Sequence, residues 1–206
     1  MLTASVTFAV AASLIVLLPG PDTLVVLRNL IRGGRRTAAL TVAGVLSGLT
    51  VWVAAAAFGL AALLHASEDA YAVLRVVGAC YLLWLGIQTW RSRSTPEALT
   101  ADALKPGRRW LGRGFGAGLA TDLLNPKVGV FFVTFLPGFV PSGVSVGSAS
   151  LAFGAIFVVE TAVYFTVLLF LAGRITRWMR DTTIRRWLDA ATGTVLIGFG
   201  LRLAVE

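Results

Sequence analysis

Six long apolar runs divide this sequence and constrain its fold more than any other feature. They cover approximately residues 3–27, 37–64, 70–90, 114–137, 146–173 and 187–205. A helix needs about 20 consecutive apolar residues to cross the hydrocarbon core of a bilayer, and each run meets or approaches that length. Because 57% of the residues are hydrophobic and only 14% are charged, a soluble domain could not enclose these runs. The sequence therefore predicts an all-α membrane protein with six transmembrane helices and no folded soluble domain.

The basic residues predict how these helices are oriented. The formal net charge is +8, and 15 of the 18 Lys and Arg residues lie in the first, third and fifth connections between the runs. The second and fourth connections, residues 65–69 and 138–145, contain none. Connections rich in Lys and Arg stay in the cytoplasm, so we expect both chain termini outside. We interpret the basic clusters as orientation signals that also contact anionic lipid head groups, and not as a nucleic-acid-binding surface.

A single linker divides the predicted transmembrane domain, residues 1–206, into two halves. This linker, residues 92–113, is rich in Ser, Thr, Pro, Glu and Arg, and it separates residues 1–91 from residues 114–206. Each half contains three predicted spans. Because an odd number of spans reverses the second half relative to the first, the pattern predicts two inverted three-helix repeats, an arrangement common in secondary transporters.

Proline interrupts the first predicted span of each half at a corresponding place. The two segments are Leu18-Pro19-Gly20-Pro21-Asp22 and Leu124-Asn125-Pro126-Lys127. Proline removes an amide donor and clashes with the carbonyl four residues earlier, so Pro19 should free the carbonyl of Ile15 and Pro126 that of Asp122. In a bilayer, protein, water or a substrate must satisfy such carbonyls.

Each break also predicts the start of a new half-helix. Asn125 followed by Pro126 is typical of an N-cap and a first helical residue, and Gly20 followed by Pro21 is similar. We expect the amides of residues 127–129, and those of residues 22 and 23, to be available. Helix starts of this kind favour an anion such as a carboxylate.

Four charged residues lie deep within the predicted spans, where charge is expensive and usually functional. At 1.5 Å per residue, Asp22 lies about 9 Å and Asp122 about 14 Å from the inner edge, while Lys127 and Glu160 both lie about 21 Å deep. The two aspartates could bind an ammonium group or share a proton. Lys127 and Glu160 match in depth and oppose in sign, so they could form a structural ion pair or belong to the transport site.

The sequence gives little support to a metal site, an ATP site or a catalytic site. The chain has one cysteine, Cys80, and one histidine, His65, so we expect no disulfide, no metal site and no cofactor. There is no G-x-x-x-x-G-K-[ST] motif for binding ATP phosphates. Two intramembrane aspartates could suggest a protease dyad, but neither lies in a recognisable catalytic motif, and we do not expect an enzyme.

Several motifs resemble those of the lysine exporter (LysE/RhtB) family of amino-acid efflux proteins, in order along almost the whole chain. They are P-G-P-D-T-L at 19–24, G-G-R-R-T-A-A-L-T-V-A-G-V-L-S-G at 33–48, A-C-Y-L-L-W-L-G-I at 79–87, N-P-K-V-G-V-F-F-V-T-F-L-P-G-F at 125–139 and G-T-V-L-I-G-F-G-L-R-L-A at 193–204. The N-P-K segment is the most specific of these. Gly138 and Trp52 depart from the glutamine and histidine frequent in the family.

The resemblance implies a six-span protein of the bacterial inner membrane that exports amino acids or their derivatives, driven by the proton gradient. On this hypothesis the substrate is a small zwitterion. Its carboxylate would bind near Asn125 and Lys127, and its ammonium group at Asp22 or Asp122. The predicted substrate-binding residues are Pro19, Gly20, Pro21, Asp22, Asp122, Asn125, Pro126 and Lys127. Glu160 or Asp122 would carry the coupled proton, because a low dielectric favours the neutral form of a carboxylic acid.

Two further functions stay open at this point. The carboxylates could serve export of an inorganic cation, although acids at different depths with a lysine among them suit a divalent ion poorly. The chain could also be a membrane subunit that does not transport. A homodimer is a further possibility, since Gly44 and Gly48 have the G-x-x-x-G spacing that permits close helix approach. Packing within the chain explains the same spacing equally well.

Overall fold

The computed structural model describes residues 1–60, 68–92, 113–171 and 182–205, and within these ranges every regular element is helical. The predicted all-α class is therefore confirmed for this part of the chain. His65 and the interior of the predicted linker lie outside the described residues. The α-helices are α1 (Leu2–Leu17), α2 (Pro21–Ala55), α3 (Glu68–Ser92), α4 (Phe115–Leu123), α5 (Pro126–Val130), α6 (Val146–Phe170) and α7 (Thr182–Val205). A π-helical segment, Ala56–Leu60, extends α2, and π- and 3₁₀-helical segments, Phe131–Phe135 and Leu136–Phe139, extend α5.

Three helices in the described residues are long and apolar enough to cross a membrane by themselves. They are Pro21–Gly59, Ala72–Arg91 and Val146–Phe170. The pair Phe115–Leu123 and Pro126–Phe139, bent by 50° at its break, would make a fourth span. Leu2–Leu17 and Ala190–Arg202 are apolar but shorter. At 1.5 Å per residue the 16 residues of α1 reach about 24 Å, less than the thickness of a bilayer core. The chain is thus a multi-pass helical membrane protein.

The boundary between the first two predicted spans differs from the expectation. The first apolar run is divided at residues 18–20, and its second part is joined to the second run within α2. The only non-helical residue inside α2 is Gly34, with φ 71° and ψ −177°. Glycine adopts this positive φ without the penalty that a side chain would incur. Across the break, the Asn29 amide donates to the Thr41 hydroxyl at 2.9 Å, and both residues are buried.

Close helix packing depends on glycine at two facing positions of α2 and α4. A Cβ atom at Gly118 would collide with the carbonyl oxygen of Thr41, and one at Gly44 with that of Phe115. Gly48 in turn packs against the Asp122 side chain. The spacing of Gly44 and Gly48 therefore serves packing within the chain, and it gives no support to the predicted dimer.

We expect Gly118→Ala to destabilise the protein, because the added methyl group meets backbone atoms that cannot move aside. Overpacking of a close-packed core usually costs about 1–3 kcal/mol. Gly116 lies on the same helix with open space where its Cβ would be, so Gly116→Ala is a matched control. Thermal unfolding in detergent should show a lower midpoint for Gly118→Ala only. Equal midpoints for the two variants would contradict the close approach of α2 and α4.

Two apolar clusters fill the interior of the described structure. The larger one contains eight phenylalanine rings in mutual contact, contributed by α1, α6, α7 and the helical segments after Pro126. These rings belong to Phe8, Phe131, Phe132, Phe135, Phe139, Phe153, Phe157 and Phe199. The smaller cluster is formed by Val26, Leu27, Ala38, Val45, Phe165 and Leu168. A charged cavity lies where the two clusters meet.

Candidate functional site

The two proline-containing segments lie against each other at the centre of this site. Helix α1 ends at Leu17 and α2 begins at Pro21, while α4 ends at Leu123 and α5 begins at Pro126. The Asn125 side-chain amide donates a 2.6 Å hydrogen bond to Asp22 Oδ2. A residue of the second half therefore binds directly to the start of a helix in the first half.

Both carbonyls that proline was predicted to free accept a side-chain donor from the opposite half, in addition to the backbone amide of Leu18 or Asn125. Lys127 Nζ donates to the carbonyl oxygens of Ile15 and Leu18, each at 3.3 Å. Trp52 Nε1 donates to the carbonyl of Asp122 at 3.3 Å. Because a freed backbone carbonyl in a bilayer must find a donor, these two contacts stabilise the helix breaks and join the halves.

The amides at the start of α5 are already used, which differs from the expectation. The Lys127 amide donates to the side-chain oxygen of its N-cap, Asn125, at 3.1 Å. The amides of Val128 and Gly129 donate to the backbone carbonyl of Asn125, also at 3.1 Å. This helix start therefore does not offer the predicted free amides to a substrate carboxylate.

Three of the four charged residues gather at the helix breaks. Lys127 interacts electrostatically with both Asp22 and Asp122, and the two aspartates with each other. Asp122 is 0% exposed, and neither of its carboxylate oxygens has a hydrogen-bond partner among the described residues. Asp22 Oδ1 likewise has none. The cluster thus presents carboxylate oxygens that are buried and not bonded within the described structure.

Glu160 does not belong to this cluster. Its carboxyl lies beside the Ser13 side chain, and it is not among the residues that line the cavity. The ion pair between Lys127 and Glu160, one of the two alternatives that the sequence left open, is absent from the described structure, where Lys127 binds the carbonyls of α1 and faces the aspartates. Equal depth along a helix does not place two side chains on facing sides.

A cavity that is partly open to the exterior runs along this cluster. Its polar wall contains backbone at a helix break, charged groups and hydroxyls: Gly20, Asp22, Thr23, Asp122, Lys127, Thr161 and Tyr164. Its remaining wall is aliphatic and aromatic: Ile15, Val16, Leu18, Val45, Leu49, Val128, Phe157 and Phe165. A concave site with an apolar wall and a few convergent polar groups is typical of a binding site for a small molecule.

The sequence reasoning missed the hydroxyl groups of this wall. The Thr23 and Tyr164 hydroxyls lie 3.2 Å apart, in hydrogen-bond contact between α2 and α6. Thr161 lies one turn earlier than Tyr164 on α6, and with Phe157 and Phe165 it forms one helix face along the cavity. That spacing of three and four residues was the available signal. Of the predicted site residues, Gly20, Asp22, Asp122 and Lys127 line the cavity.

No group of three His, Cys, Asp or Glu side chains that could hold a metal ion occurs in the described ranges. What the fold and site define is a multi-pass helical membrane protein whose broken helices meet at a charged cavity. Broken helices around a central binding site are a recurring design of secondary transporters.

The chain belongs to the LysE type translocator family, whose model matches residues 13–206. The membership predicted from the sequence motifs is thereby confirmed. The threonine efflux protein of Escherichia coli (strain K12) is 30% identical over 208 residues and covers 100% of both chains. The leucine efflux protein of Enterobacter sp. (strain 638) is 31% identical over 201 residues, which are 96% of this chain and 93% of that one. The homoserine/homoserine lactone efflux protein of Salmonella typhi is 30% identical over 197 residues, 96% of this chain and 94% of that one. No solved structure matches this chain significantly.

Proposed function

We propose that this protein exports amino acids from the bacterial cytoplasm across the inner membrane. Three relatives that align over nearly their whole length are named for efflux of threonine, leucine and homoserine or its lactone. The observation that carries the proposal is the cavity at the crossed helix breaks, with charges of both signs on one wall. A zwitterion needs both signs within the span of one small molecule.

The two aspartates are the proposed partners of the substrate ammonium group. Asp122 and Asp22 together carry three buried oxygens that lack a hydrogen-bond partner in the described structure. An ammonium group could satisfy them with charge-assisted hydrogen bonds, which are stronger than neutral ones. Asp22, Asp122 and Lys127 sum to one negative charge when ionised, so one carboxylate is left without a positive partner that a bound ammonium group could supply.

Lys127 is the proposed partner of the substrate carboxylate. Its ammonium group has three protons, and two of them are used by the carbonyls of Ile15 and Leu18. The third can reach an anion in the cavity that Lys127 lines. We therefore assign the substrate carboxylate to the side chain of Lys127, and not to the neighbouring backbone amides of α5 that the sequence suggested.

A proton is the proposed coupling ion, and Asp122 is its first candidate carrier. A proton on Asp122 would remove the negative charge that the substrate ammonium group contacts, so substrate and proton would compete for this carboxylate. Glu160 is the second candidate, acting from outside the cavity. Asp122 is preferred because it touches the space in which the substrate would bind.

We further propose six spans in two inverted three-helix halves, with both termini outside. The packing of the helices supports this arrangement, because α1 packs on α6 as α4 packs on α2, while α3 packs on α7. If the first, second and third predicted spans are exchanged with the fourth, fifth and sixth, the same set of helix pairs results. This is the symmetry expected of two repeats. Residues 1–17 and 21–33 would form one broken span, matching the broken span of α4 and α5.

Cysteine labelling tests the orientation. In a variant whose exposed Cys80 is replaced by alanine, a cysteine at the exposed Ser142 should react with an impermeant maleimide in intact cells. A cysteine at Ser94, in the predicted cytoplasmic linker, should react only after permeabilisation. The reverse pattern would contradict the orientation of both halves.

Counterflow in proteoliposomes tests the function. Vesicles loaded with one unlabelled amino acid should accumulate the same labelled amino acid from outside, without any ion gradient, if the protein carries it. A panel that includes threonine, homoserine, leucine and valine, with protein-free vesicles as the control, covers the proposed class. Folded protein that gives no counterflow with any of them would favour a membrane subunit that does not transport.

A further inference from the structure

Many threonine hydroxyls in the described helices share one hydrogen-bond pattern, which Thr161 does not follow. Eight of them donate to the carbonyl oxygen four residues earlier at 2.7–2.9 Å, which satisfies the hydroxyl within its own helix. These are Thr7, Thr37, Thr41, Thr50, Thr89, Thr134, Thr166 and Thr194. Thr161 is only 6% exposed, yet its hydroxyl has no hydrogen-bond partner among the described residues. A buried hydroxyl without a partner is destabilising, so this hydroxyl would gain a hydrogen bond from a polar atom bound in the cavity.

The surroundings of Thr161 show which function is available to it. Thr161 lines the cavity with Asp122, and its neighbours on the same wall are the paired hydroxyls of Thr23 and Tyr164. Three hydroxyl groups therefore collect at one part of the cavity. Each hydroxyl can donate one hydrogen bond and accept two, so the group retains capacity for a further polar atom. Ser150 also has a buried hydroxyl without a partner, but it does not line the cavity.

We propose that Thr161, Thr23 and Tyr164 form a subsite for a hydroxyl group on the side chain of the substrate. The preferred substrates are then small amino acids that carry a side-chain hydroxyl, bound with the ammonium group at Asp122 and the hydroxyl at Thr161. This inference rests on the proposed function and adds the substrate class to it. Phe157 and Phe165, on the same face of α6, limit the size of the side chain.

The pair threonine and valine isolates the hydroxyl, because the two molecules differ only by a hydroxyl in place of a methyl group. Counterflow by the unaltered protein should favour threonine over valine by roughly three- to tenfold, the contribution of one neutral hydrogen bond. In Thr161→Val the ratio should fall towards one, whereas Thr161→Ser should keep it. Thr166→Val, on the same helix but with its hydroxyl bonded to Ala162, is the matched control and should keep the full ratio.

The outcomes separate this inference from the function on which it rests. Equal counterflow of threonine and valine by the unaltered protein would overturn the hydroxyl subsite and leave amino-acid export standing. A preference for threonine that survives in a folded Thr161→Val protein would overturn the role of Thr161. No counterflow of any amino acid by folded protein would overturn the function and the subsite together. The comparison of threonine with valine uses the unaltered protein, so it tests the proposal even if Thr161→Val fails to fold.

Discussion

Lys127→Met is expected to lower the thermal unfolding midpoint of the purified protein more than any other single change considered. Lys127 supplies the positive charge that faces Asp22 and Asp122, and it bonds the carbonyls at the end of α1. Its loss leaves buried carboxylates uncompensated and removes a donor from the carbonyls of Ile15 and Leu18. Removing one partner of a buried charge arrangement typically costs about 3–5 kcal/mol.

Double variants identify the partner of Lys127. Adding Asp122→Asn to Lys127→Met removes the uncompensated negative charge, so the unfolding midpoint in detergent should partly recover. Adding Glu160→Gln should give no recovery, because Glu160 is outside the cluster. If only the double variant with Glu160→Gln recovered, the result would support an ion pair between Lys127 and Glu160 and would contradict the arrangement described above.

Asp122→Asn is expected to cause the largest loss of substrate binding. Asparagine keeps the shape of the side chain and removes the charge that a substrate ammonium group would contact. A charge-assisted hydrogen bond contributes about 1.5–3 kcal/mol, so the affinity should fall roughly ten- to a hundredfold. The concentration of amino acid that half-saturates counterflow measures this change.

Glu160→Gln is the matched control for Asp122→Asn, since it removes an intramembrane carboxylate that does not line the cavity. Exchange of substrate should continue in this variant with unchanged half-saturation. Uphill transport driven by an imposed proton gradient gives the second readout. Its loss in Glu160→Gln with exchange intact would assign the coupled proton to Glu160, against our preference for Asp122. An equal loss of affinity in both variants would contradict the separation of the two carboxylates.

The breaks could be predicted from the sequence because proline and glycine act locally. Pro19 and Pro126 each remove one donor, and that effect depends only on residues within one turn. The same reasoning identified the carbonyls of Ile15 and Asp122 as the groups that need donors. The donors themselves are distant in sequence: Lys127 lies 112 positions from Ile15, and Trp52 lies 70 positions from Asp122, so no local rule selects them.

The partner of Lys127 could not be predicted, because depth in the membrane does not say which way a side chain points around its helix. Counting residues from the inner edge gave Lys127 and Glu160 the same depth, but the count ignores rotation about the helix axis. It also assumes a straight helix, whereas the chain bends by 50° between Leu123 and Pro126. The join of the first two spans was missed for a related reason. Gly34 allows the helix to change direction at a single residue, where a run of arginines indicated a loop.

The cavity has walls of unequal strength at its two ends. Towards Phe139, which precedes the connection that we propose faces outward, lie eight interlocked phenylalanine rings. Towards Val26 and Leu27, which precede the arginines of the first connection, lies a cluster with one buried phenylalanine, Phe165, whose ring contacts that of Tyr164. Aromatic pairs add about 0.5–1.5 kcal/mol each beyond their burial, so separating the rings is the larger barrier. With the orientation proposed above, we expect the cavity to open more readily towards the cytoplasm, where fewer aromatic contacts must separate.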